Sequence, residues 1–296
     1  MQDKYEDHLI TIDGFIKIIR SSKLLVIGSA LTFILVALIY ILNLNDKYKA
    51  YAILQPNINQ NSQGINTGGF AFGFGNFGLS ANSDTKTLVG IETIQTYKFF
   101  RSSLASRENL KKILLTESWD KNARYILYKN KAEYYQLNDE MLVSYSDYIY
   151  QDAHSKFLDN LVIDVDSSSG FVSISYLHES PIFAKEMVQN LVQNLNKALA
   201  DQKILESEKS IAYLNQQIQL TNLSEIRSNL AQLVKDQTSQ IALAKTSDDY
   251  VFKYIEEPFE QIDPSAPNRP LLLILSIIIG SMFGIFSSLV KALMRR

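Results

Sequence analysis

The sequence predicts an α+β protein in which two transmembrane helices flank an external domain. Three observations predict it. Residues 24–44 and 271–290 are uncharged apolar runs. Residues 47–55, 161–177 and 250–256 alternate with the period of two that marks strands. Residues 181–220 hold no glycine, and no proline after Pro181, so they form one long helix.

The first run, "LLVIGSALTFILVALIYILNL", reaches about 30 Å at ~1.5 Å per residue, the thickness of a bilayer core. It is longer than the ~7–15-residue apolar core of a signal peptide. Residues 41–43 offer no small-x-small cleavage site, so the run reads as an uncleaved anchor. Lys17, Arg20 and Lys23 precede it, and Lys291, Arg295 and Arg296 follow the second run. The positive-inside rule then puts residues 1–23 and the tail 291–296 in the cytoplasm, with 45–268 on the far side. Arg269 also falls on the far side, a departure that snorkelling accommodates.

The remaining composition excludes several function classes. A net charge of −2 gives no reason to expect a nucleic-acid partner. With no cysteine, disulfides, thiolate metal sites and cysteine nucleophiles are excluded. His8, His154 and His178 are far apart and read as surface residues, so no metal or cofactor is expected. The cytoplasmic segments are too short for a catalytic domain. No G-x-x-x-x-G-K-[ST] loop occurs, which speaks against an ATPase or kinase module.

Between the spans, "KYKAYAILQ" (47–55) is a strand. Residues 56–85 are loop-like, and 64–80 interleave glycine with phenylalanine. That stretch is either a flexible surface loop or a loop packing its Phe residues on a neighbour or membrane. Leu88, Ile91, Ile94, Tyr97 or Lys98, and Phe99 onward recur at helical spacing, and a short helix starts at Ser106 or Arg107. Seven tyrosines between 117 and 150 (125, 128, 134, 135, 145, 148 and 150) read as core material rather than sugar-stacking faces. "LVIDVDSSSGFVSISYL" (161–177) is a hairpin turning at 167–170.

Ser180 as N-cap and Pro181 at the first helical position start the long helix. About 40 residues of helix reach roughly 60 Å. Val188, Val192, Leu195 and Leu199, then Ile204, Ile211, Leu214 and Ile218, make one heptad-like stripe. A break at 221–222 and a second helix carrying Ile226, Leu230, Leu233 and Ile241 complete a helical hairpin. The last strand, 250–256, leads into a stiff proline-rich entry to the second span: Pro258, Pro264, Pro267, Arg269 and Pro270. The strands nearest the two spans are expected to share one membrane-proximal mixed sheet with the hairpin.

Inside the second span Ser276, Gly280, Gly284 and Ser288 recur every four residues. Small residues let helix backbones approach in lipid, so these four form a packing stripe. Its partner is either the first span, through Gly28 and Thr32, or a neighbouring subunit.

With these features in order, the chain resembles the polysaccharide co-polymerases, and among them the Wzz-type chain-length determinants of O-antigen lipopolysaccharide. The stretches that carry the resemblance are "YLNQQIQLTNLSEIRSNLAQLVKDQTSQIALAKTSDDYVFKYIEEP", "DPSAPNRP" and the Gly-rich run before "TLVGIETIQTYKFF". Pro264, Pro267, Arg269, Gly280 and Gly284 match the family's proline-rich segment and second span. The resemblance implies a non-enzymatic inner-membrane protein with a periplasmic domain, both termini cytoplasmic. It implies a homo-oligomeric ring that sets the modal length of polymer made by a separate membrane polymerase. Implied partners are further copies of the chain, that polymerase, lipid-linked polysaccharide and inner-membrane lipids. The alternative is a periplasmic sensor, whose layout of two spans and an external domain is the same. An enzyme using Asp164 and Asp166 as paired carboxylates is the third reading, disfavoured because both sit on the outer side of a hairpin.

Overall fold

The computed structural model describes residues 22–57, 84–129 and 146–294. The Gly/Phe-rich stretch 64–80, Tyr134, Tyr135, Tyr145 and the basic residues Lys17, Arg20, Arg295 and Arg296 lie outside them. In chain order the elements are α1 (Lys23–Leu42), β1 (Tyr48–Pro56), α2 (Asp84–Gln95), α3 (Tyr97–Phe99, continued by the π-turn Phe100–Leu104), α4 (Arg107–Leu115), β2 (Thr116–Asp120), β3 (Tyr125–Tyr128), α5 (Ser146–Asn160), β4 (Leu161–Val165), β5 (Val172–His178), α6 (Pro181–Leu220), α7 (Ser224–Thr246), β6 (Phe252–Glu256) and α8 (Arg269–Met294). Lys47–Pro264 is one compact unit; α1 and α8 belong to a second.

In the larger unit β4-β5-β1-β6 form a four-stranded sheet. Alternation drives it: Tyr48, Ala50, Ala52 and Leu54 of β1 are buried, with Val172, Ile174 and Tyr176 of β5. The expected mixed sheet is corrected, because every pairing is antiparallel. The α6–α7 crossover returns β6 in the direction of β5, and β1 runs oppositely between the two, so no parallel neighbours arise.

The start of α6 is set as its sequence dictates. Ser180 Oγ accepts from Phe183 N at 3.3 Å, and Pro181 follows the cap. Phe183, Met187, Val188, Leu191, Val192 and Leu195 are buried against the sheet. Ile204, Ile211, Leu214 and Ile218 are half-buried beyond it, where α7 runs alongside. The one stripe thus serves two neighbours in turn. On α7, Leu230 and Ile241 are half-buried but Ile226 and Leu233 are exposed.

The sequence reading missed the β2–β3 hairpin, which pairs Trp119 with Ile126 and Asp120 with Tyr125. Asp120 Oδ1 accepts from Asn122 N and Ala123 N at 2.8 and 2.9 Å, and Arg124 takes a left-handed φ of 53°. The core reading of the tyrosines fails for Tyr125 and Tyr148, which are exposed; Tyr128 and Tyr150 are partly buried against the core. His178, read as a surface residue, is buried: it faces inward from β5, and Ser180 N donates to its Nδ1 at 3.0 Å.

Candidate functional site

The smaller unit is a helix pair. Lys23–Leu42 and Arg269–Lys291 are each long and apolar enough to cross a membrane. Leu31, Leu35 and Val36 of α1 and Ile274, Ile278 and Met282 of α8 are exposed, as lipid-facing positions would be.

On α8 the buried positions, among the described residues, are Ser276, Gly280, Gly284 and Ser288. A spacing of four follows one ridge of an α-helix, so the four share a face. The surface they meet on α1 is Val26, Ser29, Ala30 and Phe33. A Cβ at Gly280 would lie 2.9 Å from both Ala30 Cα and Phe33 Cβ, and one at Gly284 would lie 2.7 Å from Val26 Cα and collide with Ser29 Oγ. Backbones this close leave no room for a side chain. Gly28 and Thr32 are not the contact positions. A Cβ on Gly28 would meet nothing within 4 Å, and Thr32 Oγ1 donates within its own helix, to Gly28 O at 2.7 Å or Ser29 O at 3.0 Å.

The hydroxyls of Ser29, Thr32, Ser276 and Ser281 find carbonyls, as a lipid setting demands. Ser29 Oγ stands 2.9 Å from both Val26 O and Gly280 O, so its proton can cross between helices. Ser276 Oγ donates to Leu273 O at 2.7 Å. Ser288 Oγ is buried without a hydrogen-bond partner among the described residues. Phe33 and Phe283 add a tilted ring contact at 5.7 Å. Spacing alone marked the stripe on α8. Ser29 and Ala30 escaped sequence reading because a small pair in "IGSALT" carries no period.

The proline-rich segment divides between the two units. In the larger one Pro258 is buried, Phe259 packs edge-on to Tyr51 at 5.5 Å, and Arg124 Nη2 donates to Glu260 at 2.7 Å; Pro264 is exposed. In the smaller one Ala266–Pro267 is cis, Asn268 Oδ1 accepts from Leu271 N at 3.2 Å, and Pro270 occupies the first turn of α8. Arg269 Nη2 donates to Asp46 Oδ1 at 2.7 Å.

Asp166 is committed to its turn. Ser168 Oγ and Ser169 Oγ each donate to its carboxylate at 2.7 Å, with Ser168 N at 2.8 Å. These bonds hold its pKa down to about 2. Asp164 is exposed and lies opposite Ser173 in the β4–β5 register.

Among solved structures, a full-length bacterial polysaccharide co-polymerase is similar at 15% identity over 97% of this chain and 98% of its own, with a TM-score of 0.38. A fragment of WzzB, a polysaccharide co-polymerase from Salmonella Typhimurium, is similar at 13% identity over 75% of this chain and 100% of its own, with a TM-score of 0.34. No curated protein matches the chain. The family model described as Wzz, chain length determinant protein, matches residues 9–116, a stretch that takes in α1, β1 and the short helices through α4. Over that stretch, about a third of its length, the chain is similar to the Wzz chain length determinant family.

Proposed function

We propose that this chain sets the modal length of O-antigen made by a separate membrane polymerase, as a non-catalytic, oligomeric scaffold. The observation that carries the reading is the family match across the first span and into the folded unit, residues 9–116. The basic residues flanking both apolar helices support an inner-membrane protein with cytoplasmic termini and a periplasmic domain at 45–268. The close approach of Gly280 and Gly284 to α1 supports a packing role for the Ser276–Ser288 stripe, seating one span on the other. Leu205, Tyr213, Leu220, Leu223 and Ile226 are exposed toward the far end of the α6–α7 hairpin, and such a patch supports contact with further copies of the chain. Asp166, held by its own turn, leaves the Asp164–Asp166 pair without a free second carboxylate, which supports a regulator over a hydrolase.

Deleting the gene and resolving the surface polysaccharide on a gel tests the reading. The expected result is polymer still made, its preferred length lost, and that length restored by a plasmid-borne copy. An unchanged ladder overturns it.

A further inference from the structure

A cleft of about 290 Å³ opens between the β2–β3 hairpin and the first turns of α6. Trp119, Tyr125 and Tyr128 supply aromatic surface; Lys112, Arg124 and Glu186 supply polar groups. The volume is near the lower end of the ~300–1,000 Å³ usual for small-molecule sites, which suits a sugar ring rather than an extended chain. The hairpin that presents Arg124 and Tyr125 is held by the Asp120 side chain and the left-handed Arg124 backbone, so the wall is preorganised.

The charges in the wall narrow the ligand class. Lys112 Nζ lies 2.8 Å from Glu108 Oε1 and 3.3 Å from Glu186 Oε2, and Arg124 Nη2 lies 2.7 Å from Glu260 Oε2. An anion would compete with carboxylates already in place. A wholly apolar ligand would bury these ions away from water. Hydroxyls do neither, because each donates and accepts: one can accept from Lys112 while donating to Glu186. The C–H face of a pyranose meanwhile matches the apolar ring faces of Trp119 and Tyr125, while Tyr128, with Lys111 Nζ 4.3 Å over one face of its ring, adds its other face.

We propose that this cleft is a binding subsite for a neutral pyranose ring of the polymer, held by Trp119, Tyr125 and Tyr128 with Lys112 and Glu186. The inference rests on the reading above that the chain acts on a polysaccharide. It gives the protein a direct grip on polymer, within the folded unit.

Trp119 is the one tryptophan of the sequence, so tryptophan emission of the full chain in detergent reports on this cleft alone. The probe is surface polysaccharide of the source bacterium, freed of lipid by mild acid and added to saturation. The expected result is a saturable change in emission, with apparent affinity lowered about tenfold in Tyr125→Ala as a ring contact is lost. Tyr125 is 49% exposed, so its removal leaves the fold intact; Lys112→Met is a second variant with the same expected direction. Emission unmoved by polymer, or a change equal in wild type and both variants, overturns the subsite. The gene deletion separates this from the broader reading: a disturbed ladder with unresponsive emission removes the subsite and leaves length control standing.

Discussion

Arg269 at the start of α8 and Asp46 just beyond α1 form an ion pair at 2.7 Å, joining the helix pair at one end. Read from sequence, Arg269 is a charge on the wrong side of a span; in the structure Asp46 neutralises it. The side chains are 48% and 27% exposed, and pairs this open contribute ~0–1 kcal/mol. Thermal unfolding of Arg269→Ala, Asp46→Ala and the double variant in one detergent should therefore give a coupling above zero and below about 1 kcal/mol. Zero coupling would mean that this ion pair adds nothing to the hold between the helices.

Asn196 should matter far more. It is buried on α6, its Oδ1 accepts from Val251 N and Phe252 N at 2.9 Å each, and its Nδ2 donates to Phe252 O at 2.8 Å. One side chain thus satisfies three backbone groups where the chain enters β6. Asn196→Leu keeps the branched shape but strands all three, so a loss on the order of 3 kcal/mol is expected in denaturant unfolding. A loss below about 1 kcal/mol would show that water replaces the amide.

Why Asn196 was invisible in the sequence is physical. A polar residue between Leu195 and Leu199 reads as solvent-facing, and only the path of β6 turns that face inward. The spans, α6 and the β4–β5 hairpin were legible because each carries a long, uninterrupted period. The β2–β3 hairpin was not: its strands are short, and its turn lacks glycine, relying on Asp120 and a left-handed Arg124. On the membrane side, Gly280 and Gly284 announce themselves by spacing, but which face of α1 receives them depends on how the two helices cross, and that is set by packing.

His178 should make the larger unit acid-sensitive. Burial lowers its pKa, more than nearby Glu179 raises it, so the folded state holds it neutral. In that state Nδ1 accepts from Ser180 N and Nε2 donates to Lys112 O at 3.2 Å. With the folded pKa below the ordinary ~6.5, the unfolded chain binds the proton first. The histidine's contribution is then complete above about pH 6.5 and lost as pH falls below it through the folded pKa. Melting temperature between pH 7.5 and 5.5 should fall in wild type and fall less steeply in His178→Gln, which cannot protonate. Equal slopes would shift the acid sensitivity to other groups.

The glycine contact yields the sharpest comparison. At Gly280 and Gly284 any added carbon meets the backbone of α1, at Ala30 and Val26, and backbone cannot swing aside as a side chain can. Ile278, by contrast, is 51% exposed on another face of the same helix. Gly280→Leu and Gly284→Leu should therefore force the helices apart, while Ile278→Phe should leave them paired. Ser29→Ala separates the two components of the contact: it removes the hydroxyl shared with Gly280 O but keeps the close approach, so a cost of only ~0.5–1.5 kcal/mol is expected. At equal membrane levels, thermal stability in detergent, oligomer size and the polysaccharide ladder should all change in the two glycine variants and stay close to wild type in the other two. If the glycine variants keep wild-type stability, the pair tolerates separation and the four-residue spacing is ordinary membrane-helix composition. If they lose stability yet keep the ladder, helix pairing is a folding feature and length control resides in the larger unit.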